Sequence, residues 1–169
     1  GQPSVNALFD NKTAIRFGDI LYSKAFTRLT FMPSKIAYTI SNAVTLLSLG
    51  EMIDVDLTNS FNKSYDKYLD MIYKKTASLI EASARAAAIL ANKDEEKYAL
   101  YGKNLGLAFQ MVDDILDITQ DSATLGKPAM LDFVEGKVTI PYLLLHERLE
   151  NKTKLESLYK KELTQEESL

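Results

Sequence analysis

The chain has 169 residues, 46% of them hydrophobic and 25% charged, the balance of a folded chain able to bury a core rather than of a disordered or low-complexity one. Its 20 basic and 23 acidic side chains leave a formal charge of -3, so the basic footprint of a duplex-binding protein is missing and no nucleic-acid partner is expected. With no cysteine and one histidine, His146, disulfides, iron-sulfur clusters, thiol catalysis and cysteine zinc sites are excluded, and imidazole chemistry is poorly supplied.

The apolar spacing predicts helices from end to end. The first covers about Lys12 to Leu29, with Ile15, Leu21, Ala25 and Phe26 for a buried face. Phe31-Met32-Pro33-Ser34 breaks it. A second runs from Ser34 to about Asp56 on the Ile36, Ile40, Ala43, Val44, Leu47 stripe, and a third from Ser64 to Ala91 with Asn92 as its cap. Asp94 caps a fourth, where Glu95 and Glu96 suit the helix dipole, and it extends to Thr119. Gln120 to Gly136 reads as loop; further helices follow near Thr139 to Leu149 and Lys152 to Lys161. The expected fold is an all-α helical bundle. No apolar run approaches the ~20 residues of a membrane span, and no signal-peptide pattern opens the chain, so no transmembrane segment and a cytoplasmic location are expected. The ends, Gly1-Gln2-Pro3-Ser4 and the acidic stretch up to Leu169, read as cuts in a longer chain, giving one domain over 1–169 truncated on both sides.

Helical wheels at ~100° per residue then single out polar residues where core is expected. On the fourth helix Tyr101, Leu105, Ala108, Phe109, Val112 and Leu116 fill one sector, while Gly102, Gly106, Gln110, Asp113, Asp114 and Asp117 form a small and acidic stripe. Three clustered carboxylates are either a solvated face or a site neutralised by cations. Oxygen ligands without imidazole or thiolate suit Mg²⁺. On the third helix Lys75 lies among Tyr68, Met71, Ile72, Leu79, Ala82 and Ala86, either snorkelling or offering a fixed cation to an anionic substrate beside the Thr76 hydroxyl. Glu51 and Asp54 continue the core stripe of the second helix, as acids facing inward or as exposed terminal residues. Lys127 and Lys137 each follow a glycine, as in plain loops or in backbones that approach phosphate. Taken together, inward acids and lysines with no nucleophile describe a Mg²⁺-diphosphate site at one end of an apolar bundle.

The run Phe109-Gln110-Met111-Val112-Asp113-Asp114-Ile115-Leu116-Asp117 resembles the second aspartate-rich motif, FQxxDDxxD, of the trans-isoprenyl diphosphate synthases. Gly18-Asp19-Ile20-Leu21, Gly50-Glu51 with Asp54, Lys75-Thr76, Gly126-Lys127 with Asp132, and Gly136-Lys137 with Thr139-Ile140-Pro141 resemble further elements of that family. Met130 departs from it, at a position where the family often has glycine. The first aspartate-rich motif and the C-terminal helices of the family have no counterpart here.

The resemblance implies an isoprenoid-synthase bundle that elongates an allylic diphosphate with isopentenyl diphosphate, using Mg²⁺ to assist ionisation. It implies Asp113, Asp114 and Asp117 as the metal residues, with Asp114 further round the helix and acting through water. Lys75, Lys127 and Lys137 would bind diphosphate oxygens, and Lys75, Thr76, Gln110 and Asp113 would take part in catalysis. Phe109 would lie near the reacting carbon. The flanking residues look most like the bacterial long-chain, octaprenyl-type branch. A homodimer is implied, with Leu46, Leu49 and Ile53 pointing away from the core stripe, and the truncated chain should be inactive alone. A class I terpene cyclase, a head-to-head synthase and a non-catalytic subunit of the same fold are the alternatives.

Overall fold

The computed structural model describes residues 3–120 and 130–161, and among these residues all regular structure is helical. A short α1 (Val5–Leu8) leads into α2 (Asn11–Leu29), α3 (Ser34–Leu57) and α4 (Tyr65–Ile72). A π-helical turn, Tyr73–Ala77, joins α4 to α5 (Ser78–Leu90), followed by α6 (Glu95–Thr119), α7 (Leu131–Val134), α8 (Ile140–Arg148) and α9 (Lys152–Leu158).

Local chemistry fixes several ends. Asp10, Ser64 and Asp94 cap α2, α4 and α6, accepting from the N–H groups of Thr13, Lys67 and Lys97. Helix α5 ends in a Schellman turn: Asn92 is left-handed at φ 52°, and Asn92 and Lys93 donate their N–H groups back to Ile89 and Ala88. The third expected helix is present from Tyr65 to Leu90, its α pattern interrupted by the π turn. The π turn inserts one residue between α4 and α5, which rotates everything after it by about 100° relative to an uninterrupted helix. Of the residues expected on the buried face beyond the turn, Ala82 and Ala86 are buried and Leu79 is exposed.

The core joins Tyr68, Met71 and Ile72 of α4 to Phe133, Val138, Tyr142, Leu143 and Leu155, with Ile53, Leu57, Leu107, Met111 and Ile118 packed around them. Ile53 thus turns inward, and of the three residues expected to point away from the core Leu49 is exposed and Leu46 half-buried. Phe133 stacks on Tyr142 with ring centroids 4.3 Å apart.

On helix α6 the small and acidic stripe faces inward, as expected, but the apolar sector faces out. Gly102 and Gly106 are buried against α5 and the π turn, and Asp114 and Asp117 are buried below them. Tyr101, Leu105, Phe109 and Val112 are exposed. The glycines let two backbones approach where larger residues could not, and that contact decides which sector faces in.

Helix α2 departs further, since none of its residues is buried and Ile15 and Leu21 stand in the open. By length and composition α3 is also apolar enough to cross a membrane, although its apolar residues form no unbroken run. It packs here against α5 and the π turn instead.

Candidate active site

A cavity of about 250 Å³ lies between the end of α3, the π turn, α6 and the segment after α7. Its wall carries Lys75, Thr76, Gln110, Asp113, Asp114 and Lys137, all singled out in the sequence, together with Asp54 and Asp132. Phe109 and Asp117 do not line it; Phe109 is exposed one turn before Asp113, and Asp117 is 1% exposed. Lys127 lies outside the described residues, as do Gly126 and Pro128.

The π turn makes the lysine wall. A Cβ added to Gly50 would stand 2.7 Å from Lys75 Cα, and one added to Gly106 would stand 2.8 Å from Ala77 Cβ. The turn is therefore held between two glycine backbones, and both Lys75 and Thr76 reach the cavity. Lys75 Nζ lies 2.7 Å from Asp54 Oδ2 and 3.3 Å from Glu51 Oε2. Burial works against the Lys75 ammonium, but the Asp54 and Glu51 carboxylates outweigh it and hold the pKa above the ordinary lysine value. Of the two acids flagged on this helix, Asp54 is buried and Glu51 exposed.

Lys137 makes the opposite wall. It follows Gly136, whose φ of 90° permits the turn, and its Nζ lies 2.7 Å from Glu135 and 3.5 Å from Asp132. Burial again opposes the charge, and the two carboxylates raise the pKa nonetheless.

The three aspartates of α6 have different surroundings. Asp113 is exposed at the cavity rim. Asp114 is buried and doubly held: Tyr68 Oη donates to its Oδ2 at 2.6 Å and Gln110 Nε2 to its Oδ1 at 3.0 Å. Burial pushes its carboxyl up to about 6, although both hydrogen bonds act in the other direction. Asp117 ties down the chain beyond α6, where its Oδ2 accepts from the Asp132 N–H at 3.3 Å and its carbonyl from the Met130 N–H at 2.9 Å. Met130 itself is left-handed at φ 57°, a conformation that glycine adopts without strain. The aspartate one turn from Asp113 thus serves the loop in this structure, while its neighbour in sequence lines the cavity.

Residues missed by the sequence also shape the site. Asn62 holds the turn between α3 and α4, exchanging hydrogen bonds with the Ser64 backbone at 3.0 and 3.1 Å. Tyr68 was counted only as core; its place two turns before Lys75 on one face was the available signal. Among the described residues no group of three or more carboxylate or imidazole side chains is arranged to hold a metal alone. An open Asp113 beside two ammonium groups is a partial donor set, the kind that Mg²⁺ completes with waters and substrate phosphate oxygens.

Comparison with known proteins decides the family, since polyprenyl synthetase matches residues 1–169. The chain belongs to the polyprenyl synthetase family. Octaprenyl diphosphate synthase of Escherichia coli strain K12 is 37% identical over 147 residues, 85% of this chain and 46% of that protein. The crystal structure of octaprenyl pyrophosphate synthase from Helicobacter pylori superposes with a TM-score of 0.88 at 51% identity, over 97% of this chain and 54% of that one. A polyprenyl synthase from Caulobacter crescentus, solved with calcium and isoprenyl diphosphate, gives a TM-score of 0.85 at 31% identity over 99% and 53% of the two chains. The chain thus spans about half the length of these polyprenyl synthetases. As a member of the family it has the all-α isoprenoid-synthase fold. A rice relative is named as mitochondrial, so the cytoplasmic location expected from sequence is not general among its relatives.

Proposed function

We propose that this chain supplies half of the active site of a long-chain, octaprenyl-type prenyltransferase that elongates an allylic diphosphate with isopentenyl diphosphate. The observation that carries this reading is the convergence of Lys75, Thr76, Gln110, Asp113 and Lys137, from three separate segments, on one cavity. The calcium and isoprenyl diphosphate of the Caulobacter crescentus relative support the ligand class, and the identity to the Helicobacter pylori enzyme supports the branch.

In this reading Lys75 and Lys137 bind the diphosphate oxygens. Each is held by carboxylates beforehand, so the anion exchanges one set of negative partners for another without the lysines having to be ordered anew. Asp113, and Asp114 through water, would hold Mg²⁺, which when bound would neutralise charge developing on the departing diphosphate. Lys127 would add a further cation, and Asp117 would support the metal residues from behind. Thr76 Oγ and the Gln110 amide would steady the positive charge that develops on the allylic carbon. The diphosphate released would take the proton lost on condensation, so no side-chain base is needed. Phe109 is assigned to the prenyl tail. Two copies would pair through α2 and α3.

The test is a chimera that joins the first half of the Helicobacter pylori relative to this chain. It should convert labelled isopentenyl diphosphate and an allylic diphosphate into longer products with Mg²⁺, whereas this chain alone should not. A folded chimera that binds Mg²⁺ and diphosphate but extends nothing would overturn the reading.

A further inference from the structure

We propose that Tyr68 is a positioning residue for the reaction, its hydroxyl acting through Asp114 and Gln110 to set which way the Thr76 oxygen faces. This rests on the reading of the cavity as the allylic diphosphate site.

Tyr68 is 1% exposed, and phenylalanine would fill its place without burying a hydroxyl. That hydroxyl crosses from α4 to α6 to donate to Asp114 Oδ2 at 2.6 Å. The second oxygen of Asp114 accepts from Gln110 Nε2 at 3.0 Å. A carboxylate between two donors dictates that the Gln110 amide presents its NH₂ side to it. Gln110 Oε1 must then face Thr76, whose hydroxyl is 2.9 Å away. An amide oxygen only accepts, so the Thr76 hydrogen is committed to Gln110 and the oxygen lone pairs are left for the cavity that Thr76 lines.

Without the Tyr68 hydroxyl, Asp114 Oδ2 loses its buried donor and the carboxylate is free to turn away from the Gln110 amide. The amide is then no longer held in one orientation, and the Thr76 hydroxyl can swing its hydrogen, a positive dipole end, toward the place where positive charge develops. Diphosphate binding does not use this oxygen. The effect therefore falls on turnover and not on substrate binding.

The experiment compares wild type, Tyr68→Phe, Thr76→Val and the double variant in the full chain carrying this sequence, with isopentenyl and allylic diphosphates and Mg²⁺. Tyr68→Phe should lower kcat roughly tenfold, the loss of about one hydrogen bond, with both KM values unchanged. The double variant should be no slower than Thr76→Val, because the two positions act on one oxygen. An unchanged kcat, a change confined to KM, or additive losses in the double variant would overturn the proposal. So would loss of the native circular dichroism spectrum in Tyr68→Phe, since the hydroxyl would then hold the fold rather than the chemistry. A wild type that elongates nothing removes the functional reading itself, and the wild-type rate tells that failure from the others.

Discussion

Gly50 of α3 faces the backbone of Lys75 so closely that a Cβ there would stand 2.7 Å from Lys75 Cα and 2.8 Å from the Lys74 carbonyl carbon. Backbone cannot rotate aside as a side chain can. Gly50→Ala should therefore push the π turn off α3 and destabilise the chain by about 1–3 kcal/mol, in the range of overpacked cores. Urea unfolding measures it, and a midpoint equal to wild type would show that the turn yields freely.

Lys75 holds a buried carboxylate, Asp54, while offering its charge to the cavity. Asp54→Asn keeps the shape and frees the ammonium. Inorganic pyrophosphate should bind that variant more tightly than wild type in the absence of Mg²⁺, by severalfold, as judged by calorimetry. Weaker binding would mean that Asp54 orients Lys75 more than it competes for it.

The buried Asp114 carboxyl, raised to about 6, makes stability depend on pH with a definite sign. A carboxyl raised in the folded state binds its proton more tightly there than in the unfolded chain. Its contribution is thus full below the ordinary carboxylate range and is lost as pH rises through about 6. Unfolding free energy of the metal-free chain should fall by on the order of 2 kcal/mol from this group between about pH 4 and pH 7.5. Asp114→Asn should flatten that part of the profile, and identical profiles would place the titration elsewhere.

Helix caps and the cavity's charged residues were legible because each rests on short-range chemistry: Asp94 before Glu95-Glu96, Asn92 after α5, a lysine on an apolar stripe. The π turn was not. Nothing in Tyr73-Lys74-Lys75-Thr76-Ala77 announces an inserted residue, because its cause is the glycines on α3 and α6 that press on it. On α6 the inward acidic stripe was legible but the exposure of Tyr101, Leu105, Phe109 and Val112 was not, because Gly102 and Gly106 bury through close approach. Tyr68 read as core, correctly, yet its partner lies 46 positions away in sequence.

Asp113 is the open carboxylate of the three. In the full chain carrying this sequence, Asp113→Ala should lower kcat by orders of magnitude with little change in the allylic KM, because the proposed metal role would matter most as charge develops on ionisation. Lys75→Ala should follow the same pattern more mildly. Steady-state kinetics that find only a raised KM would show equal binding of ground and transition states.

Along α2, Ile15, Phe17, Ile20, Leu21 and Tyr22 are all at least half exposed, an apolar surface too large to remain wet in a stable monomer. Sedimentation equilibrium at micromolar concentration should give twice the 19.0 kDa of one chain, and Ile20→Glu should return it toward one. A clean monomer in both would contradict pairing through this helix.

The glycine contacts between α5 and α6 carry a mechanical consequence. A Cβ on Gly102 would fall 2.8 Å from the Ile80 carbonyl oxygen and 2.9 Å from Ala84 Cβ, so the helices meet backbone to backbone with no long side chains between them to bend. Sliding one past the other would drive main chain into main chain. The Thr76 wall and the Gln110–Asp114 wall are consequently welded into one beam, so the width of the cavity between them is fixed by main chain and not by side-chain packing.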